Sequence, residues 1–429
     1  MSYLTHITLT RFRNYTQASL KGLERGFVVL SGHNGVGKTN CLEAVSLLSP
    51  GRGLRNASLD DLRARTMDNF GDGFGNGFAG GAAAAQSPDS EALHESLGNT
   101  VCLAAKEAKA VHNQACEQPA IKGWVVLSDI ESDAGAVRLG TGEDSTSGKR
   151  IAKINGERVS ALSQMADYVA CVWFTPAMSG LFTGGAAERR RFFDRLVFAY
   201  DPAHAGRIRR YEQAMAQRAR VLKDAHHKGV RADATWLDGL ELSMAETGVA
   251  IAASRLELLS LLQDFCAMTA QLGFPQIAMD LVQGPEAMLQ GASALTVEEN
   301  LRAALSESRR RDAIVGGAAL GAHKTDLHVV YAPKAMEAAQ CSTGEQKALL
   351  MGIILAHARF IEARRGEMPV LLLDEVAAHL DPRRRATLFD ILGGMKGQVW
   401  LSGTEHALFE ELSGKGQFFE VANQQFHAL

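Results

Sequence analysis

Short, continuously apolar runs alternate along the chain with longer segments whose apolar residues recur at helical spacing. Such short runs are typical of strands buried on both faces of a parallel sheet. They predict strands at residues 4–9, 27–31, 124–128, 152–155, 370–373 and 399–402. Helical spacing is clearest behind the second strand, at Cys41, Leu42, Val45 and Leu48, and over residues 347–364. The pattern therefore predicts an α/β fold.

The 429 residues exceed the usual length of one domain, so we expect two lobes. Residues 1–190 and 320–429 are predicted to form one discontinuous head. Residues 191–319 are predicted to form an inserted helical lobe, in which the apolar positions of 249–262 and 295–305 belong to the core. The Gly/Ala-rich, nearly uncharged stretch 69–87 is predicted to be a flexible insertion that loops out from the head.

Composition excludes several classes of protein. With 46% hydrophobic and 22% charged residues the chain can bury a large core, so global disorder is excluded. No run approaches the roughly 18 to 20 apolar residues of a membrane span, so no membrane partner is expected. The six cysteines lack C-x-x-C spacing and predict neither a zinc site nor disulfides. A reduced, cytoplasmic protein is the simplest interpretation.

A phosphate-binding motif follows the second predicted strand. Residues 32–39 read GHNGVGKT and match G-x-x-x-x-G-K-[ST], with a strand before and a helix behind. Its glycines let successive N–H groups face phosphate oxygens, Lys38 suits the β and γ oxygens, and Thr39 suits Mg²⁺. An ordinary glycine turn is the alternative. The predicted ATP-binding residues are Gly32, His33, Asn34, Gly35, Val36, Gly37, Lys38, Thr39 and Asn40.

Two carboxylates follow the apolar strand at 370–373. Ligands of parallel sheets collect at the carboxyl ends of the strands. Asp374 therefore suits Mg²⁺ and its water, and Glu375 suits the polarisation of the water that attacks the γ-phosphate. A solvated turn is the alternative for this pair alone, and the phosphate-binding motif favours the functional interpretation.

A third motif, STGEQ at 342–346, opens the helical segment 347–364. Ser342 followed three residues later by Glu345 is the signature of a capping box. The same free N–H groups and the Ser342 hydroxyl could instead hold a γ-phosphate. Both interpretations remain open from these residues alone.

The order of the three motifs resembles the head domain of the ABC/SMC ATPase class. The resemblance implies an ABC/SMC-like P-loop ATPase head in which ATP is sandwiched between two protomers. The nucleotide of one protomer would then face four residues of the other protomer. Three belong to the third motif, Ser342, Gly344 and Gln346, and the fourth is Asp381. The switch residue of the class would be Thr404 or His406, although a plain loop fits this segment equally well. The chain is too short for the long coiled-coil arms of SMC proteins.

Four further blocks resemble the RecF family in the family's own order. They are RFRNY at 11–15, RIAKINGERV at 150–159, FTGGAAERRRFFD at 182–194 and GAHKTDL at 321–327. In the last block Ala322 and Lys324 stand where proline and arginine are usual, which keeps a cation but loses a rigid turn and a bidentate fork. The resemblance adds Arg13 to the nucleotide site.

Membership of this family implies ATP-dependent DNA binding with slow ATP hydrolysis. It implies an ATP-dependent homodimer that contacts double-stranded and single-stranded DNA at gap junctions. It also implies RecR and RecO as partners in loading a recombinase. A transporter motor, a nuclease of the overcoming-lysogenization type and a nucleotide-gated scaffold without turnover are the alternatives. The nuclease would need a metal-binding domain for which about 55 residues after Asp374 leave no room.

Charge is segregated along the chain. The formal net charge is -3, yet residues 183–231 hold twelve basic and five acidic residues, a local net charge of +7. Arginines at helical spacing there predict a cationic face for DNA phosphates. Salt bridges on a solvated helix surface are the alternative. The candidate DNA contacts are Arg189, Arg190, Arg191, Arg207 and Arg210.

Overall fold

The computed structural model describes residues 2–64, 123–132 and 135–429. The predicted insertion at 69–87 lies outside these residues. In chain order the strands are β1 (Tyr3–Phe12), β2 (Tyr15–Lys21), β3 (Gly26–Ser31), β4 (Val125–Ser132), β5 (Gly135–Glu143), β6 (Arg150–Ile154), β7 (Glu157–Arg158), β8 (Cys171–Phe174), β9 (Ile277–Val282), β10 (Asp326–Tyr331), β11 (Met336–Glu337), β12 (Val370–Leu373), β13 (Gln398–Gly403), β14 (Gly416–Ala422) and β15 (Gln425–Ala428). The six predicted strands are confirmed as β1, β3, β4, β6, β12 and β13.

The helices of the described residues follow the same order. They are α1 (Lys38–Ser46), α2 (Leu59–Leu62), α3 (Ala186–Tyr200), α4 (His204–Lys228), α5 (Ala234–Gln271), α6 (Glu286–Leu289), α7 (Ala294–Glu307), α8 (Arg309–Val315), α9 (Thr343–Arg365) and α10 (Pro382–Gly393). The predicted helix at 347–364 is α9, which begins four residues earlier. None of the helices described here carries an apolar run suited to crossing a lipid bilayer.

The central sheet has the order β15-β14-β3-β13-β12-β8 and is parallel from β14 to β8. Leu373 at the end of β12 pairs with Leu401 of β13 and with Phe174 of β8. The ends of β3 and β13 meet in the same way, at Ser31 and Gly403. The loops that follow β3, β12 and β13 therefore leave the sheet at one edge, where ligands of parallel sheets bind.

Both faces of this sheet are buried, which explains its continuously apolar strands. Phe27, Val29 and their neighbours pack on one face, in the same cluster as the buried residues of α9. Val28 and Leu30 pack on the other face in a cluster that includes α1. Alternate residues of each strand therefore serve different cores, and the edge at which the loops leave the sheet is held between two packed layers.

A second, antiparallel sheet has the order β2-β1-β4-β5-β6-β7. Leu4, Ile7 and Leu9 of β1 belong to the same cluster as the buried side of α1. The RIAKINGERV block forms the hairpin of β6 and β7, with Asn155 at φ 50° and Gly156 at φ 87° in its turn. The predicted strand at 152–155 is thus one half of a strand pair.

The inserted lobe is built on two long helices, α4 and α5, which pack against each other. Helix α7 packs on α5, and α8 packs on α4. It is not purely helical, because β9 pairs with β10 in a small sheet of order β11-β10-β9. That pairing crosses the predicted boundary at 319–320, and α3 crosses the boundary at 190–191. The two predicted lobes are thus joined by a continuous helix and by a shared sheet.

Candidate nucleotide-binding site

The loop between β3 and α1 takes a conformation that favours glycine. Gly32, Gly35 and Gly37 have φ values of 143°, 84° and 118°. A Cβ on Gly32 would lie 2.7 Å from the carbonyl oxygen of Val421. A Cβ on Gly37 would meet side chains of the β1–β2 turn at 2.7 to 2.8 Å. Side chains at these positions would displace the loop, so the backbone itself forms the phosphate-facing surface.

Residues at the β1–β2 turn hold this loop in place through hydrogen bonds to its carbonyl oxygens. Asn14 Nδ2 donates to the carbonyl oxygen of Val36 at 2.8 Å, and the Tyr15 hydroxyl donates to that of Gly37 at 3.0 Å. Asn40 Nδ2 donates to Asn14 Oδ1 at 2.7 Å. The RFRNY block thus fixes the loop before nucleotide arrives, and the supporting role of Asn14 and Tyr15 was missed by sequence reasoning.

Arg13 was expected to contact nucleotide, and the structure gives it other partners. Its Nε and Nη2 atoms each donate to Glu43 at 2.8 Å, and its Nη1 atom donates to the carbonyl oxygen of Asp61. Glu43 lies fully buried in α1 and also pairs with Arg55. Arg13 therefore ties the β1–β2 turn to α1, and a nucleotide contact would require this ion pair to open.

Lys38 lies at the centre of the loop. Its Nζ atom donates to the carbonyl oxygens of Gly32 at 2.6 Å and His33 at 2.9 Å. Burial lowers the pKa of Lys38, and the nearby Glu375 and Asp374 carboxylates oppose that shift. An ammonium stripped of water in this way gains much from an anionic phosphate, since charged hydrogen bonds are the strong ones.

Asp374 connects the three loops at this edge. Its Oδ1 atom accepts hydrogen bonds from Thr39 Oγ1 at 2.9 Å and from Ser402 Oγ at 2.6 Å. The backbone N–H of Glu375 in turn donates to Ser402 Oγ at 3.0 Å, with Glu375 at φ 52°. The structure therefore brings the predicted Thr39, Asp374 and Glu375 together. Ser402 was missed as a site residue, although its place at the end of an apolar strand beside β12 is a signal.

The oxygens of Thr39 and Asp374 suit Mg²⁺, which prefers one or two carboxylates and hydroxyl oxygens beside substrate phosphates. Burial raises the pKa of Asp374, and the hydrogen bonds from Ser402 and Thr39 only partly offset it. The carboxylate thus lacks a full counter-charge within the described residues. A divalent cation would supply one, so these residues fit the predicted metal.

The start of α9 shows the predicted capping box. Ser342 Oγ accepts from the Glu345 N–H, and the Glu345 carboxylate accepts from the Ser342 N–H at 2.9 Å. Lys334 forms a salt bridge with Glu345, and this contact lowers the pKa of the Glu345 carboxyl to about 2. Ser342 is exposed and Gly344 is half-buried. The cap and an outward-facing helix start therefore coexist.

The two other residues of the predicted interface differ from each other. Asp381 is exposed at the start of α10, where it accepts from the Arg384 N–H at 2.9 Å. Gln346 is buried, and its amide donates to the carbonyl oxygens of Cys341 and Ala339. It holds the loop before α9, and a contact with another protomer would require it to leave these bonds.

The predicted switch segment follows β13. Thr404 is half-buried and His406 is exposed, with the His406 ring 4.8 Å from that of Phe418. A short 3-10 helix begins at His406. Both residues lie just beyond the edge that carries Ser402, so either remains a candidate.

Comparison with known proteins identifies the family. No family model matches the chain. It is 42% identical over 424 residues to the DNA replication and repair protein RecF of Mesorhizobium japonicum, covering 98% of this chain and 96% of the relative. It is 40% identical over 428 residues to the RecF of Rhizobium rhizogenes, covering 98% and 97%. The chain belongs to the RecF family.

Solved structures confirm the fold. The recombination mediator protein RecF-ATP of the RecFOR pathway superposes with a TM-score of 0.77 at 19% identity, covering all of this chain and 98% of the other. RecF-ATPrS of the same pathway gives the same values. The predicted α/β fold, with a P-loop head and an inserted lobe, is therefore the fold that this chain shares with the solved RecF structures.

The arginines predicted to contact DNA fall into two groups in the structure. Arg189 makes two hydrogen bonds to Asp326, at 2.7 and 2.8 Å, and Arg207 pairs with Asp201. Arg191 and Arg210 are exposed. The salt-bridge alternative thus describes Arg189 and Arg207, while the cationic surface keeps Arg191 and Arg210.

Arg190 is intermediate between these groups. Its Nη1 atom donates to the carbonyl oxygen of Thr325 at 3.2 Å, and half-burial lowers its pKa. Two other basic residues of the +7 segment are internal: Arg218 is fully buried, and Arg195 stacks on Trp173. The segment is therefore less cationic at its surface than its sequence predicted.

Proposed function

We propose that this chain is an ATP-dependent DNA-binding protein of recombinational repair in which ATP joins two copies. Each copy would present its P-loop with Asp374 and Glu375, and the exposed start of α9 would meet the γ-phosphate of the other copy. The observation that carries the proposal is the constellation of Thr39, Asp374 and Ser402 at one edge of the sheet.

Each residue of the site has a distinct task in this proposal. Lys38 and the loop N–H groups would bind the phosphates, while Thr39 and Asp374 would hold Mg²⁺, which neutralises phosphate charge. Glu375 would accept a proton from the attacking water. Ser402 Oγ accepts from the backbone N–H of Glu375, which has a strained backbone at φ 52°. This contact would orient the Glu375 carboxylate towards the attacking water. Hydrolysis would be slow and would end the dimeric state.

The names of the relatives support the biological setting. They are DNA replication and repair proteins, and the solved ones are recombination mediators of the RecFOR pathway. We infer that this chain binds double-stranded and single-stranded DNA, with RecR and RecO as protein partners. A protein with this role on DNA would be located in the cytoplasm.

Glu375→Gln tests the proposal. Removing the general base should lower ATP hydrolysis by about a hundredfold or more, while ATP binding continues. The variant should then remain dimeric with ATP in light scattering, at times when the wild type has returned to monomer. Glu410→Gln, at an exposed position past β13, should behave as the wild type.

Two results would contradict the proposal. A Glu375→Gln variant that stays monomeric with ATP would exclude the ATP-joined pair. A wild type that releases no phosphate with ATP, Mg²⁺ and DNA would leave the nucleotide-gated scaffold without turnover as the better reading.

A further inference from the structure

Two apolar side chains project from the end of α8. Ile314 and Val315 are 72% and 73% exposed, the highest values among the large apolar residues that the structure describes. Apolar surface is unfavourable in contact with water. Adjacent exposed apolar residues therefore mark a contact surface more often than scattered ones do. We call this pair the apolar tip.

The segment before the apolar tip is firmly anchored to the inserted lobe. Arg309 at the start of α8 donates to Asp238 at 2.5 Å and also pairs with Glu241. Asp312, one turn on, accepts from the buried Arg218 at 2.8 Å. Because Asp312 faces inward, Ile314, two positions on, lies on the opposite side of this short helix and faces outward.

The segment after the apolar tip is anchored as well. Gly316 and Gly317 have φ values of 82° and 78°, which turn the chain back at once. Ala318 is then buried in the lobe core, and its carbonyl oxygen lies 3.0 Å from His323 Nε2. His323 Nδ1 lies 2.7 Å from the Tyr211 hydroxyl. The apolar tip is therefore a rigid corner held at both sides.

Cations surround this corner. Arg310 and Arg311 precede the apolar tip in α8, and Lys324 follows it; all three are exposed and have no acidic partner among the described residues. Arg190 reaches the same loop through the carbonyl oxygen of Thr325. Burial lowers the pKa of His323, Lys324 and Arg190 lower it further, and Asp312 opposes them.

We propose that the apolar tip is a wedge that enters a weakened base step of DNA, with the flanking cations on the adjacent phosphates. This inference rests on the proposed DNA-binding function and specifies the DNA structure that the lobe selects. A second copy of the chain would meet the same cations with its own, whereas DNA supplies phosphates and apolar base faces together. Apolar wedges flanked by basic residues unstack base steps in this way.

The wedge selects DNA in which stacking is already broken. Opening an intact step costs a few kcal/mol, and a nick or a gap edge removes most of that cost. The side chains then bury apolar surface that they otherwise expose to water. The chain should therefore prefer a nicked duplex over the intact duplex of the same sequence.

The test compares Ile314→Ser/Val315→Ser with the wild type on those two duplexes, with ATP and Mg²⁺, by fluorescence anisotropy. The double variant should lose about tenfold or more of its affinity for nicked duplex. Its affinity for intact duplex and its salt dependence should not change, because no cation is removed. The fluorescence of a 2-aminopurine base placed at the nick should rise when the wild type binds, because the base is unstacked, and should not rise with the double variant.

Two controls separate this effect from damage to the fold. Ile314→Leu/Val315→Leu should keep the preference for nicked duplex, because it preserves apolar bulk. Leu295→Ser, at another exposed apolar residue at the start of α7, should also keep it. Both serine variants should melt as the wild type does, since the replaced side chains pack little.

Four results would overturn the inference. The double variant could keep the wild-type preference, or the wild type could show none while still binding both duplexes with ATP. The double variant could instead lose the ATP-dependent dimer in light scattering, which would make the apolar tip a contact between two copies. A wild type that binds neither duplex would refute the proposed DNA-binding function itself, and the wedge with it.

Discussion

At the scale of single residues, Asp374 shows how a functional group can oppose folding. Burial raises its pKa above its ordinary value of about 3.9. The folded chain thus holds a proton more tightly than the unfolded chain does. Stability is complete below the ordinary pKa and falls as the pH rises through the raised pKa, so the cost is present at neutral pH.

Asp374→Asn should therefore raise the melting temperature of the nucleotide-free protein at neutral pH, because it removes the buried charge and keeps an acceptor for Thr39 and Ser402. The difference from wild type should vanish below the ordinary aspartate pKa of about 3.9, because the raised pKa keeps Asp374 protonated there. ATP hydrolysis should fall at least about a hundredfold, since the proposed metal ligand is lost. Thermal melting at both pH values checks this, and a lower melting temperature at neutral pH would contradict it.

Residues of the nucleotide edge were predictable where local sequence decides their place. The P-loop and the Asp374–Glu375 pair each follow an apolar strand, and parallel pairing brings their ends together. The partner of Arg13 was not predictable, because Glu43 lies in another element and no short-range pattern links the two. Sequence predicted which residues meet at this edge, whereas the contacts that brace them depend on tertiary structure.

At the scale of elements, the start of α9 combines a structural task with a proposed functional one. Ser342 is exposed, and its hydroxyl caps the helix by accepting from the Glu345 N–H while it donates to the Glu345 carboxylate at 2.9 Å. Two substitutions separate the tasks. Ser342→Ala should cost about 1 kcal/mol of stability, whereas Ser342→Asp should cost little, because aspartate is as good a cap.

Both variants should nevertheless lose the ATP-dependent dimer. Alanine lacks the hydroxyl for the γ-phosphate, and aspartate places a negative charge against it. Urea unfolding measures the stability and light scattering measures the dimer. An aspartate variant that dimerises with ATP as the wild type does would show that the start of α9 does not meet phosphate.

The helix α4 shows why a charge pattern misleads when partners lie far away in sequence. Arg218 is fully buried between Glu241 and Asp312, residues of α5 and α8. Arg220, two positions on, is exposed with Asp224 beside it. Helical spacing put both in one cationic patch, and only the packing of three helices distinguishes them.

Arg218→Met should lower the free energy of unfolding by about 3 to 5 kcal/mol, because it leaves the buried Asp312 without its cation and leaves Glu241 with Arg309 alone. Arg220→Met should change it by less than about 1 kcal/mol, as surface pairs do. Urea denaturation of the two variants measures the contrast. Equal midpoints would mean that Arg218 is not the internal cation that its contacts describe.

At the scale of the whole molecule, a chain with a net charge of -3 can bind DNA only through a surface where cations are unpaired. The structure distinguishes such cations on one helix. Arg207 of α4 is engaged with Asp201 and donates to Ser254 at 3.0 Å. Arg210, one turn away, is exposed and has no acidic partner within the described residues.

Each phosphate contact releases counterions and adds about 0.9 to the slope of log affinity against log salt concentration. Arg210→Ala should therefore lower the magnitude of that slope by about that amount, with ATP and duplex DNA. Arg207→Ala should leave the slope unchanged, because its charge is already neutralised. A salt titration by anisotropy gives both slopes, and equal losses for the two variants would mean that the Asp201 pair opens on DNA and that the cationic surface is as broad as the sequence alone suggested.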